Sequence, residues 1–285
     1  MDKLDSKYEK LKKIIEEKGK DGVVVAFSGG VDSSTLAAVS CKVLGEKAIA
    51  VTAKSLTYPH EEIEAAKKVA KEIGIKWYTV ETNELKNPNF TKNPENRCYY
   101  CKKTLLTKLL DFAHELGLRA VFEGTNFSDL SDHRPGFKAV KELTNIYSPW
   151  VEGEFTKQEI REIAKKLGLS VENKPPLACL ASRIPYYQKI TKEKLLRVDK
   201  AEHAIKEITG ICQLRVRDHN GLARIEVAKD EMSQLLDMKI LDEITVRLKA
   251  LGFKYVVLDT EGYRSGSLLR KNKKREESLS LEEGL

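Results

Sequence analysis

The chain is expected to be an α/β protein: a parallel sheet with helices on both faces, followed by a small α+β C-terminal domain. Short apolar runs alternate with helix-periodic stretches from residue 22 to residue 123, the pattern of strands joined by crossover helices. A Gly29-Gly30 turn joins the first apolar run directly to the helix after it. Past the proline-bearing loop Glu172–Gln188, the pattern changes to a helix, a hairpin and a final helix–strand pair.

The elements follow in order. Leu4, Tyr8, Leu11, Ile14 and Ile15 recur at helical spacing over residues 4–18. Gly22–Phe27 then reads as a strand, Asp32 to Leu44 as a helix, Ala48–Ala53 as a strand and His60 to Ile73 as a helix. Trp77–Val80 is a third strand, Thr82 to Asn96 a polar loop, Tyr100 to Leu116 a helix and Ala120–Glu123 a fourth strand. A further helix runs from Thr156 to near Gly168, because Thr156-Lys157-Gln158-Glu159 has the form of a capping box. In the second domain Lys192 to Ile208 is helical, and Gln213–Asp218 and Leu222–Val227 flank Asn220-Gly221, the dipeptide of tight hairpins. Ile240–Leu251 and Tyr255–Leu258 complete it. The expected domains are residues 1–185, 186–267 and a charged flexible tail, 268–285.

Composition excludes some classes. The 285 residues are 41% hydrophobic and 33% charged, with net charge +7, as in soluble globular proteins. No apolar stretch approaches the roughly 20 residues that span a bilayer, and Met1–Asp5 opens no signal-peptide core, so a cytoplasmic location is expected. Much of the excess charge lies in Arg270–Arg275, where a solvated tail is favoured over a nucleic-acid arm. Five cysteines, an odd number, argue against a disulfide framework.

The densest signal is Ser28-Gly29-Gly30-Val31-Asp32-Ser33-Ser34. A strand, a Gly-Gly turn and a helix start together make a phosphate cradle of backbone N–H groups. Ser28, Ser33 and Ser34 add hydroxyl donors, and Asp32 can orient a Mg²⁺ or a neighbouring N–H. No lysine follows the glycines, so this is not the loop of the phosphate-cleaving NTPases. Gly124, Thr125 and Asp129, just past the fourth strand, are further nucleotide contacts by position. Arg134 is a candidate fork for a carboxylate or phosphate.

Cys98-Tyr99-Tyr100-Cys101 places two sulfurs at a helix start, where the dipole lowers their pKa. A redox dithiol, half of a zinc site and two ligands of an iron–sulfur cluster all remain open. Cys179 is the sulfur best placed to join them, with Lys174 and Arg183 nearby to favour its thiolate. Cys41 and Cys212 read as core residues. Arg215 and Arg217 share a strand face by the period of two and, with no acid nearby, call for an anion between them.

The motif Ser28–Ser33 resembles the pyrophosphate loop of ATP pyrophosphatases. Together with Arg97–Lys102, Gly124–Asn126, Asp132–Gly136 and Ala178–Pro185 in one order, it resembles the LarE family of ATP-dependent sulfurtransferases over roughly residues 10–265. The resemblance implies an adenine nucleotide alpha hydrolase-like fold and use of ATP and Mg²⁺. A carboxylate of pyridinium-3,5-biscarboxylic acid mononucleotide is adenylated, pyrophosphate leaves, and sulfur displaces AMP to give a thiocarboxylate for a nickel-pincer cofactor. By the same resemblance Cys179 is the catalytic cysteine and Arg215 and Arg217 hold the substrate's phosphate; Asp32 is a further catalytic candidate, and Arg134 and Arg183 are candidates for the substrate's phosphate or carboxylate. Cys98, Cys101 and Cys179 hold a [4Fe–4S] cluster with one open iron, fed by a sulfide or other sulfur donor, and the chain forms homo-oligomers. In the family's other branch, the cysteine matched by Cys179 gives up its own sulfur. A tRNA thiolation enzyme of the same superfamily is the main competing reading; amide-forming synthases and a non-catalytic sensor stand behind it.

Overall fold

The computed structural model describes residues 3–59, 61–131, 135–175 and 179–264. Arg134 and the tail therefore lie outside the described residues. The chain divides into two compact units. The first comprises residues up to Ala181 with Lys189–Leu195, and the second Ser182–Gln188 with residues from Leu196 onward.

In chain order the first unit contains α1 (Lys3–Gly19), β1 (Val23–Ala26), α2 (Val31–Leu44), β2 (Ala48–Lys54), α3 (Glu61–Ile73) and β3 (Lys76–Glu81). There follow α4 (Pro88–Thr91), α5 (Arg97–Glu115), β4 (Ala120–Phe122), α6 (Pro135–Glu142), β5 (Ile146–Tyr147), α7 (Pro149–Glu152) and α8 (Lys157–Lys166). The sheet order is β3-β2-β1-β4-β5, parallel throughout. The sequence reading does not foresee α6, α7 or the two-residue fifth strand β5, and α4 lies within Thr82 to Asn96, expected to be a polar loop. Helix α5 also starts earlier, at Arg97, so Cys98 and Cys101 sit three residues apart on one helix face.

Strand periodicity divides the core. Val23, Val25, Ala48, Ala50, Ala120 and Phe122 pack on one face with Leu11, Leu36, Val69 and Ile160. Val24, Ile49, Val51 and Val121 face the other side, against Leu106 and Leu109 of α5 and Val140 of α6. Both faces are thus sealed by helices, as a parallel sheet requires. Strand β1 lies between β2 and β4, so the connections leave it in opposite directions. The crevice beyond its carboxyl end is where ligands bind in such sheets.

The second unit carries most of α9 (Lys192–Thr209), with β6 (Leu214–His219), β7 (Leu222–Val227), α10 (Met238–Ala250) and β8 (Tyr255–Leu258). Its sheet order is β6-β7-β8, the hairpin antiparallel and β7–β8 parallel. Asn220 and Gly221 have φ of 53° and 95°, the double left-handed turn that a two-residue hairpin needs. Among the described residues no helix is long and apolar enough to cross a membrane.

Candidate active site at the carboxyl ends of the sheet

The loop after β1 is held by its own serines. Ser33 Oγ accepts from Ser28 N at 3.2 Å, lies 3.1 Å from Ser28 Oγ and donates to Gly30 O at 3.2 Å. Gly29 has φ +69°, and a Cβ there would stand 2.9 Å from Ala66 Cα. The position therefore excludes a side chain by conformation and by space. Gly30 precedes α2 without any side-chain cap, which leaves the first amides of the helix available to an anion. Gly124 passes so close that a Cβ on it would meet Ser33 N at 3.2 Å.

A cavity of about 440 Å³ opens here. Its polar wall includes Ser28, Gly30, Asp32, Ser33, Thr125 and Asp129, while Val51, Ala53, Ile63 and Leu109 form apolar wall; Tyr58, Lys102 and Cys179 also line it. Most expected nucleotide contacts are thus brought together. Ser34 is not among them: it is wholly buried in α2, and its hydroxyl has no hydrogen-bond partner among the described residues. A second groove, along Tyr100, Lys103 and Lys108 of α5, holds none of the loop residues.

Asp32 is more firmly tied than its sequence position announces. Lys157 Nζ, from the first turn of α8, donates to its Oδ2, and Asn126 Nδ2 donates to its Oδ1 at 3.3 Å. Trp150 Nε1 donates to its carbonyl at 3.1 Å. Asn126 and Asp129 also exchange reciprocal backbone-to-side-chain bonds of 3.2 Å. Lys157 went unnoticed in the sequence. Its one signal is a cation in the first turn of a capping-box helix, against the dipole.

Glu123 ends β4 fully buried. It accepts from Lys102 Nζ at 2.7 Å, from Thr125 Oγ1 at 2.6 Å and from Ser148 Oγ. Burial pushes its pKa up, but the Lys102 ammonium and these donors outweigh it, so the carboxyl lies below its ordinary value. A depressed native pKa gives stability that is complete above the unfolded Glu value of about 4.3 and is lost as pH falls through the native one. Lys102→Met is accordingly expected to raise the pH of acid unfolding, read by tryptophan fluorescence.

None of the five cysteines is disulfide-bonded. Cys98 is exposed and Cys101 partly buried near the start of α5. Leu180 N, next to Cys179, donates to Thr57 O at 2.7 Å. The helix start does not activate Cys101. Burial, then the charges of Cys179, Glu84 and Cys98, push its thiol well up. Burial and the same three cysteines and glutamate push the Tyr58 phenol up, so these groups cluster. Among the described residues, however, no three His, Cys, Asp or Glu side chains stand close enough to share one metal ion. Lys174, expected beside Cys179, instead donates to Glu62 at 2.9 Å and to Gly29 O at 3.2 Å. Cys41 packs against the core as expected; Cys212 is exposed, contrary to expectation, because it precedes β6 rather than lying within it.

In the second unit the arginines meet acids that the sequence reading did not credit. Arg183, 2% exposed, forks onto Glu202 with two bonds of 2.8 Å. Arg217 donates to Glu226 at 2.7 and 3.0 Å and to Ser182 O at 2.8 Å. The expectation of a strand face without acids is thereby corrected. Arg215 differs: it donates to Leu214 O at 2.7 Å and lies over the Tyr263 ring, with no carboxylate contact among the described residues. Burial and then the Arg183 charge push its pKa down. Because removing one partner leaves a buried charge, Glu202→Gln is expected to cost about 3–5 kcal/mol, measured by denaturant unfolding of the full chain.

A glycine-serine loop at a sheet switch point, with uncapped helix amides over a cavity, defines an ATP-using enzyme of the pyrophosphate-loop class. The NAD synthase family matches residues 4–101. An uncharacterised Synechocystis protein is 45% identical over 94% of this chain and 98% of its own length. The pyridinium-3,5-bisthiocarboxylic acid mononucleotide synthase of Lactiplantibacillus plantarum is 35% identical over 86% of this chain and 88% of its own. The NH(3)-dependent NAD(+) synthetase of Pyrococcus horikoshii is 29% identical over 60% and 67%. The chain belongs to the LarE family of ATP-dependent sulfurtransferases.

Proposed function

We propose that this enzyme adenylates a carboxylate of pyridinium-3,5-biscarboxylic acid mononucleotide and then replaces AMP by sulfur, giving a thiocarboxylate for a nickel-pincer cofactor. The observation that carries this reading is that Cys179 lines the same cavity as the pyrophosphate loop. A carboxylate oxygen attacks the α-phosphorus of ATP, and the bond to the β-phosphate oxygen breaks with pyrophosphate leaving. Ser28, Gly30, Ser33 and the first amides of α2 hold the charge that develops there. Asp32 is the carboxylate that would meet the Mg²⁺ of MgATP. A sulfur nucleophile then attacks the acyl carbon; the C–S bond forms, the C–O bond breaks, and AMP departs with the electron pair. Arg215, which has no carboxylate contact among the described residues, is the better candidate for the substrate's phosphate. Arg183 and Arg217 support it from their pairs.

Cys98, Cys101 and Cys179 would hold a [4Fe–4S] cluster. The chemistry of the donor set supports this reading: Cys98 and Cys101 share one face of α5, and the charges of Cys179 and Cys98 act on the Cys101 thiol, which burial and those charges raise. Bound by three thiolates, the cluster would supply an iron able to carry a labile sulfide. Direct donation from Cys179 is the second reading, favoured by its place in the cavity wall. Iron and acid-labile sulfide, measured on anaerobically purified protein, decide between them. About four irons per chain are expected. No iron, with Cys179 converted to dehydroalanine after turnover, supports direct donation. Failure to form thiocarboxylate and pyrophosphate from MgATP and the dicarboxylate sinks the function.

A further inference from the structure

Glu84 is a carboxylate at 2% exposure that is served by hydroxyls. Ser55 Oγ donates to its Oε2 at 2.5 Å and Thr82 Oγ1 to its Oε1 at 2.8 Å, and no cation pairs with it among the described residues. Burying an acid this way costs desolvation that a neutral residue would avoid. From Glu84 a continuous path leads to the cysteines. Ser55 Oγ lies 2.9 Å from Thr57 Oγ1 and accepts from Thr57 N at 3.1 Å. Thr57 is fully buried, and its carbonyl accepts from Leu180 N at 2.7 Å. Leu180 directly follows Cys179, and Tyr58, directly after Thr57, lines the cavity together with Cys179.

We propose that Glu84 is a positioning residue for sulfur transfer: through Ser55 and Thr57 it fixes the backbone beside Cys179, and so the sulfur, at the cavity wall. The proposal rests on the sulfur-transfer reading above. Without the Glu84–Ser55 bond the loop after β2 loses its anchor and the Leu180 contact loosens. Misplacement of a reacting group by about 1 Å can cost on the order of a hundredfold, whereas adenylation uses a different set of residues.

The experiment is alkylation of the metal-free full chain by iodoacetamide, resolved by mass spectrometry, with the exposed Cys212 as internal reference. Ser55→Ala and Glu84→Ala are each expected to raise the Cys179-to-Cys212 ratio about fivefold or more and to lower thiocarboxylate formation about tenfold or more. Pyrophosphate release should stay within about twofold of wild type. Thr82→Val removes only the outlying bond and is expected to leave the ratio unchanged. A folded Ser55→Ala chain with an unchanged ratio overturns the proposal; Glu84→Ala serves if Ser55→Ala does not fold. Wild-type protein that makes no thiocarboxylate defeats the sulfurtransferase reading instead, and the alkylation ratio still decides the positioning.

Discussion

Cys179→Ser is expected to abolish thiocarboxylate formation while a first ATP-dependent release of pyrophosphate persists. The side chain lines the cavity that the pyrophosphate loop opens, and serine fills nearly the same volume, so the adenylation half of the site keeps its shape. What changes is the atom. A hydroxyl is scarcely ionised at neutral pH, whereas the thiolate is the nucleophile and metal ligand of cysteine. Pyrophosphate release in a single burst, with an acyl-adenylate accumulating by mass spectrometry, is the predicted result. Cys98→Ser and Cys101→Ser divide the two sulfur sources. If the three sulfurs act together, both variants lose sulfur transfer as completely as Cys179→Ser. If Cys179 donates alone, both retain a first turnover. Loss of pyrophosphate release in Cys179→Ser would mean that the sulfur also shapes the adenylation site.

Much of the fold is legible in the sequence, because its strands are apolar runs long enough to declare themselves. Val23–Val25 and Ala48–Ala53 are buried on both faces, the near-continuous apolar runs that a covered parallel sheet produces. Asn220-Gly221 fixes the hairpin because few other dipeptides adopt two positive φ values. Strand β5 is unreadable for the opposite reason. It has two residues, and what makes it a strand is the pairing of Val121 with Ile146 and Phe122 with Tyr147. The start of α5 is likewise hidden, since Asn96 makes no side-chain capping bond.

The site divides along the same line. The glycines and serines of the loop act on their immediate neighbours, so five or six residues of sequence contain the whole device. The ion pairs do not. Lys102 finds Glu123, Arg183 finds Glu202 and Lys174 finds Glu62 across separations in sequence that only folding closes. An arginine pair such as Arg215 and Arg217 therefore reads as an anion site. The register sets Glu226 opposite Arg215, yet the carboxylate pairs diagonally with Arg217, so only the folded side chains reveal that one of the two is already partnered.

Lys157→Ala is expected to slow pyrophosphate release about 10²–10³-fold, the scale of removing one preorganised charge-stabilising donor, with almost no change in stability. The ammonium is placed deliberately. The capping box between Thr156 and Glu159 fixes the start of α8, Lys7 clamps Glu159 at 2.7 Å, and Lys157 N donates to Ser128 Oγ at 3.2 Å. Those contacts hold a cation over Asp32, at the helix end where the dipole disfavours it. Both side chains of the pair are partly exposed, 36% and 24%. Such a pair contributes about 0–1 kcal/mol, too little to justify the arrangement by stability. On the proposed function the value of the cation lies in the phosphates: were MgATP to engage Asp32, the released ammonium would be free to follow the charge that builds on the leaving pyrophosphate. Asp32→Asn should therefore reduce the rate as well, and the double variant should fall no further than the worse single one, since two groups serving one charge are not additive. Initial rates of pyrophosphate release across MgATP concentrations test this. A fall in kcat with little change in KM supports transition-state stabilisation, whereas a rise in KM alone would reduce Lys157 to a ground-state contact.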